Sequence, residues 1–169
     1  MKLIQLALGS LVGVAFLASS AASASNLSIG TLPLAPAVFS DLVSEQPGSF
    51  SDSFSFTAPS GPSTASGTVT STDLLPLLDV SGLVLSLYSS SNTLLAQGSS
   101  GDSSSLSGVA LSSGASYYFT VTGNAIGSAG GLYAFIASAS AVPEPQTYAL
   151  MLGGVGVVAF LALRRRDWR

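Results

Sequence analysis

The sequence predicts an all-β protein, an antiparallel β-sandwich, and three observations carry that reading. Between residues 25 and 142 the apolar side chains recur with period two rather than 3.6, glycine, serine and proline punctuate the chain at short intervals, and no amphipathic helix pattern occurs. Roughly 120 residues is an ordinary length for one such domain.

Taken in order, residues 25–48 hold Pro33, Pro36 and Pro47 and one apolar patch at Val38 and Phe39, and read as an edge strand followed by a loop. The sandwich itself is expected over residues 49–142. Phe50, Phe54 and Phe56 alternate with Ser51, Ser53, Ser55 and Thr57, as a strand with one buried and one wet face requires. Leu83, Leu85 and Leu87 alternate with Val84, Ser86 and Tyr88. After the polar turn Ser89 to Asn92, Thr93 to Gln97 returns as a hairpin. Tyr117 to Thr122 alternates again, Gly123 to Gly131 reads as a glycine-rich turn, and Leu132 to Ala139 as the closing strand. Val69, Leu106, Val109 and Leu111 mark shorter strands, Pro59, Pro62 and Pro76 punctuate what lies between, and Ser99 to Ser105 reads as a solvated low-complexity loop.

The two ends follow different rules. Residues 1–24 have the form of a signal peptide: Lys2 is the positive start, Leu3 to Ala18 the apolar stretch, and Ala22-Ser23-Ala24 the small-residue cleavage site, so the mature chain is expected to begin at Ser25. At the far end, residues 148–163 are apolar and are expected to form a transmembrane helix. At about 1.5 Å per residue it spans roughly 24 Å, short of a hydrocarbon core of about 30 Å. Arg164, Arg165 and Arg166 open a tail over residues 164–169 that stays cytoplasmic by the positive-inside rule, which puts residues 25–142 on the far side of the membrane. Between domain and helix, residues 143–147 begin Pro143-Glu144-Pro145. Two prolines around one residue block helix and sheet hydrogen bonding and predict an extended, exposed joint open to a protease.

Charge excludes several functions. All five basic residues, Lys2, Arg164, Arg165, Arg166 and Arg169, lie in the terminal segments. The middle holds Asp41, Glu45, Asp52, Asp73, Asp79 and Asp102 with no cationic side chain, so it can form no internal salt bridge and cannot neutralise the phosphates of a nucleic acid. Histidine and cysteine are absent, which removes thiolate nucleophiles, His-based acid/base pairs, His or Cys zinc sites and disulfides. Ser-His and Ser-Lys nucleophile pairs are impossible, and the six carboxylates are scattered singly rather than paired as a glycosidase needs. The expectation is a protein that is not an enzyme and carries no cofactor. Asp73, Asp79 and Asp102 could offer oxygen to calcium, but without a closely spaced acidic motif they read as turn caps and solubilising charges, and no metal site is expected. Asn26-Leu27-Ser28 matches an N-glycosylation sequon.

Val142-Pro143-Glu144-Pro145, the short apolar helix with Gly153-Gly154, and the run Arg164-Arg165-Arg166 together resemble the PEP-CTERM sorting signal. The resemblance implies recognition of the tail by an integral membrane exosortase, cutting near the prolines, and passage to the cell surface or an exopolysaccharide matrix. Phe50-Ser51-Asp52-Ser53-Phe54 is similar to the FxDxF motif of one PEP-CTERM subgroup. The segment from Phe50 to Ala139, with its Phe-rich first strand, Leu-alternating strand ending at Tyr88 and Tyr-Tyr-Phe strand, resembles the jelly-roll-like bacterial pre-peptidase C-terminal domains.

Asp52 poses the sharpest physical question. Period-two geometry puts it on the face of Phe50 and Phe54, where an unpaired carboxylate costs several kcal/mol, about the stability of a small domain. Backbone amides, hydroxyls or a bound cation must receive it, unless a sheet edge leaves it wet. For the whole protein two roles remain. One is a structural or adhesive component of a cell surface or biofilm matrix, associated with exopolysaccharide. The other is a carbohydrate-binding module in which Tyr88, Tyr117, Tyr118 or Tyr133 stack on sugar rings. Because the span from Ser25 to Val142 lacks Lys and Arg, trypsin should leave it whole even after unfolding, whereas a protease specific for aromatic residues should fragment it. Mass analysis of the denatured, trypsin-treated protein checks this, and a tryptic fragment ending inside the span would contradict it.

Overall fold

A computed structural model of the protein describes residues 24–143 and 145–166, with backbone alone for 145–147 and 160–166. The signal segment expected before Ala24, together with Glu144 and residues 167–169, lies outside the described residues. Among the described residues nine strands form two sheets. They are β1 (Asn26–Thr31), β2 (Phe39–Glu45), β3 (Gly48–Thr57), β4 (Ser63–Ser71), β5 (Val80–Ser89), β6 (Leu94–Gln97), β7 (Ser103–Leu111), β8 (Ser116–Ala125) and β9 (Gly131–Ala141), followed by helix α1 (Pro145–Arg166). One sheet runs β1-β3-β8-β5-β6 and the other β2-β9-β4-β7.

The alternating side chains drive this arrangement. Phe50, Phe54 and Phe56 of β3, Leu83, Leu85 and Leu87 of β5, and Tyr117, Phe119 and Val121 of β8 point inward from the first sheet; Ala65 and Val69 of β4 and Tyr133, Phe135, Ala137 and Ala139 of β9 meet them from the second. Aromatic rings bridge the layers. Phe54 lies 4.4 Å from Phe135 between centroids, and Phe50 stacks on Tyr133 at 5.4 Å. Burial of these rings is the main stabilising term in a domain without disulfides.

Several expectations need correction. Residues 25–48 hold two edge strands rather than one strand and a loop: β1 joins the first sheet and β2 the second, pairing Phe39 to Glu45 against Ala137 to Gly131. The sandwich is not wholly antiparallel, because β1 lies parallel to β3. The chain leaves β1, crosses to the other sheet for β2 and returns into β3, so β1 and β3 run the same way. Ser99 to Ser105 is not simply a solvated loop. Leu83 and Gly101 exchange backbone hydrogen bonds of 2.8 and 3.2 Å, and buried Ser104 accepts from the Leu85 amide at 3.1 Å, which carries the chain from one sheet to the other. The glycine-rich turn is shorter than expected, since β8 continues to Ala125.

The joint and tail also differ. Pro145 is already the first residue of α1, a position that suits a residue with no N–H to donate, and Arg164 to Arg166 continue the helix instead of forming a separate tail. Side chains from Tyr148 to Ala159 are exposed. Among the described residues no helix is long and apolar enough to cross a membrane. The expected transmembrane span of 148–163 is therefore not shown; its described apolar side chains cover only about 18 Å of axis.

Two glycines separate strain from crowding. Gly130 has φ +110°, and a Cβ there would lie 2.0 Å from the Glu45 carbonyl oxygen, whereas Gly61 has φ +94° in open space. Gly130→Ala should cost at least about 3 kcal/mol, and Gly61→Ala about 1 to 2 kcal/mol, by urea unfolding. Equal losses would show that the close approach at Gly130 relaxes without cost.

Candidate functional site

Asp52 sits at the centre of β3, paired with Val121 of β8, and is fully buried between the sheets. Its carboxylate has two donors. The backbone N–H of Ser25 donates to Oδ1 at 2.6 Å, and the Tyr133 hydroxyl donates to Oδ2 from the opposite sheet. Ser25 is held a second time, because its carbonyl accepts from the Ser53 amide at 2.8 Å. Amide and hydroxyl acceptance is thus the arrangement present, with the amide supplied by the start of the domain. Phe50 and Phe54 flank the carboxylate on the same face, Phe50 stacked on Tyr133 and Phe54 packed at a tilt against Phe135.

The environment fixes the protonation of the phenol. Burial most of all, then the hydrogen bond to Asp52, then the charges of Asp52, Glu45 and Asp41, push Tyr133 far above its ordinary range. It remains a donor at any physiological pH. Chemically the pair fastens rather than reacts, since a phenol so hard to ionise is neither a nucleophile nor a base.

Other sequence candidates separate. Tyr117 and Tyr133 are buried, which removes them as sugar platforms; the Tyr117 hydroxyl accepts from the Ser112 amide at 2.8 Å. Tyr88 and Tyr118 are half-buried cross-strand neighbours stacked at 5.2 Å, and the Tyr118 hydroxyl donates to Asn92 at 3.0 Å. Asp73 accepts from the Ser71 hydroxyl, while Asp79 and Asp102 engage neighbouring segments through their backbone. Among the described residues no group of three or more acidic side chains is placed to hold a metal ion. Sequence reasoning missed the exposed apolar rim of Leu74, Leu75, Leu77 and Ile126, because a leucine run reads as core until its loop is placed.

At the other terminus, β9 ends at Ala141 and the Val142 amide donates to the Pro62 carbonyl at 2.9 Å. Pro143 is exposed, and α1 begins at Pro145. A β-sandwich that closes immediately before a proline joint and an uncovered apolar helix has the layout of a domain carrying a C-terminal sorting signal. Residues 141–166 match the family model of the PEP-CTERM protein-sorting motif, and the chain carries that motif. The signal implies an exported protein, handled by exosortase, a membrane enzyme, and transiently anchored at its C terminus.

Comparison with solved structures gives distant likenesses. The pre-peptidase C-terminal domain of a collagenase from Bacillus anthracis is 15% identical, covering 70% of this chain and 96% of that one, with a TM-score of 0.41. PliG of Aeromonas hydrophila, a periplasmic inhibitor of g-type lysozyme, is 9% identical, covering 69% and 99%, with a TM-score of 0.38. No curated protein matches the sequence.

Removing one partner tests the fastening. Tyr133→Phe should cost about 1 to 3 kcal/mol by leaving Oδ2 of Asp52 without its donor, and Asp52→Ala a similar amount. The raised phenol pKa also sets a sign: its stabilisation is complete below the unfolded value of about 10 and is lost as pH rises above it. Alkaline destabilisation above about pH 10 should therefore be shallower in Tyr133→Phe than in the parent. If both variants melt like the parent, the two side chains do not fasten the sheets.

Proposed function

We propose that this is an exported cell-surface or extracellular-matrix protein of the FxDxF subgroup of PEP-CTERM proteins, a non-enzymatic structural or adhesive component associated with exopolysaccharide. The observation that carries the reading is the position of the sorting motif relative to the fold. Among the described residues every buried member of the hydrophobic core lies between Leu32 and Ala139, and the last backbone contact of the domain is made by Val142. A cut near Pro143 would free the sandwich without disturbing its core. Pro143, just outside the last strand, is exposed, as a protease cutting there would need.

The charge distribution supports release into a hydrated layer. Loss of both ends would leave six acidic side chains and no Lys or Arg, and a strongly anionic, Ser- and Thr-rich surface resists self-association near neutral pH. Until that cut, α1 would serve as the membrane anchor, its arginines on the cytoplasmic side. The alternative of a carbohydrate-binding module keeps one specific support, the half-buried Tyr88 and Tyr118 pair beside Asn92. Their stacking on each other leaves only the outer ring faces for a sugar, which favours the structural role.

In a host with the matching exosortase, the surface-fractionated protein should begin at Ser25 and lack the segment from about Pro143 onward, as read by intact mass. Finding only chains that retain the tail at the surface would replace sorting with simple anchorage. The purified protein should also sediment with native exopolysaccharide without being displaced by a defined sugar. Saturable, competable binding that Tyr88→Ala abolishes would establish the lectin-like role instead.

A further inference from the structure

We propose that Asp52 and Tyr133 form a built-in receptor for the chain's own mature N terminus, so that removal of the signal segment completes the fold by placing the Ser25 ammonium against the buried carboxylate. The inference rests on cleavage between Ala24 and Ser25 and does not depend on what happens to the C-terminal tail.

Two independent observations meet at one atom. The small-residue pattern Ala22-Ser23-Ala24 places the new terminus at Ser25, and the structure places the nitrogen of that same residue 2.6 Å from Oδ1 of a carboxylate with no exposed surface. Nothing in the sequence before the fold is known links position 25 to position 52. Ser25 is held by its carbonyl as well, through the Ser53 amide, so its nitrogen is positioned by β-type pairing with β3 rather than by the charge alone. Ala24 and Ser25 are exposed, which leaves the bond between them open to a leader peptidase.

The chemistry of cleavage changes the partner and not its place. One water hydrolyses the Ala24–Ser25 amide: its oxygen joins the Ala24 carbonyl, which leaves as a carboxylate on the leader, and its hydrogens pass to the Ser25 nitrogen, which becomes an ammonium at neutral pH. Before the cut, Asp52 is a buried anion served by a neutral amide and a neutral phenol. After it, the same 2.6 Å contact becomes a charge-assisted ion pair, with the remaining N–H groups free to reach water at the sheet edge. No side chain of the domain can supply a cation in this part, because no Lys or Arg lies between Leu3 and Leu163. Around the site, Asp52 of β3 and Glu45 and Asp41 of β2 are acidic, Tyr133 of β9 is held protonated, and β1 contributes no titratable side chain. Each of these groups is either neutral or favours an ammonium.

A direct consequence is that the leader-bearing chain is less stable than its product. The sandwich therefore gains its full stability only after export and cleavage, when folding no longer competes with translocation.

The absence of lysine makes the test clean, since Lys2 leaves with the leader and the Ser25 amine is then the only primary amine in the protein. The full chain is expressed with its own leader, purified with its tail in detergent, and sequenced from the N terminus. It is then acetylated at pH 7.5 in the native state and in urea. The native amine should react at least tenfold more slowly than the unfolded one, in keeping with a pKa raised above the ordinary value of about 7.7 to 8.0. Stability should be full below about pH 7.5 and fall as pH rises through the raised value. Asp52→Asn should bring the native rate to within threefold of the unfolded rate. If that variant does not fold, a chain with one extra alanine before Ser25 serves instead; its displaced amine should react at the unfolded rate, and it should melt below the parent. Equal native and unfolded rates in the parent would overturn the ion pair. So would a slow rate that persists in Asp52→Asn or in the extended chain, because shielding by burial would then explain it. A first residue other than Ser25 would overturn the proposal at its first step, with the sorting reading still standing on the C-terminal mass.

Discussion

A carboxylate held between two sheets, in a domain with no cationic side chain, is the constraint around which this sandwich is organised. Asp52 is tolerated because donors arrive from both layers, the Tyr133 hydroxyl from the second sheet and the Ser25 amide from the edge of its own. Hydrogen bonds to a charged group are worth roughly 1.5 to 3 kcal/mol each, enough for two of them to offset much of the cost of burying it. A one-residue slip of β3 would release the charge to water, but it would also turn Phe50, Phe54 and Phe56 outward. The aromatic residues therefore hold the carboxylate where its donors are, and the carboxylate gives the otherwise greasy interface one polar position that must match across the layers.

The same geometry explains why the domain tolerates terminal segments of a different nature. Its outermost fastened residues are Ser25, bound to Asp52 and Ser53, and Val142, bound to Pro62. Expected cleavage at one end and the proline joint at the other fall just outside these contacts. The sandwich is thus delimited by hydrogen bonding at the places where the sequence suggests processing, and among the described residues its core lies wholly between them.

How much of this was legible in the sequence follows from what period-two patterns can and cannot say. They report which face of a strand is buried, so the inward sets of β3, β5 and β8 and the hairpin from β5 to β6 could be read directly. They also placed Asp52 on the buried side. Sheet membership and pairing partners are set by contacts between distant segments and leave no local mark. Hence the split of residues 25–48 between two sheets, the parallel pairing of β1 with β3, and the sheet-crossing role of Ser104 were missed. Tyr133 illustrates the limit best. Tyr117 and Tyr118 of β8 are adjacent in the chain, so they alternate between faces and cannot both be exposed, but nothing in the sequence shows that Tyr133 lies opposite Asp52, 81 positions away.

The sorting helix presents the complementary problem. The sandwich buries its aromatic and leucine faces between its sheets, whereas α1 carries exposed leucine, valine and methionine side chains from Tyr148 to Ala159. A helix that is apolar all round must find lipid or another protein. One chain thus holds two parts suited to different solvents, joined by Pro143-Glu144-Pro145. The connection is stable only while the helix has its own environment. Severing it at the prolines would remove the apolar surface and the arginines together, and once the segment with Lys2 is also gone every remaining side-chain charge is negative, while the described core from Leu32 to Ala139 lies wholly on the sandwich side of the cut.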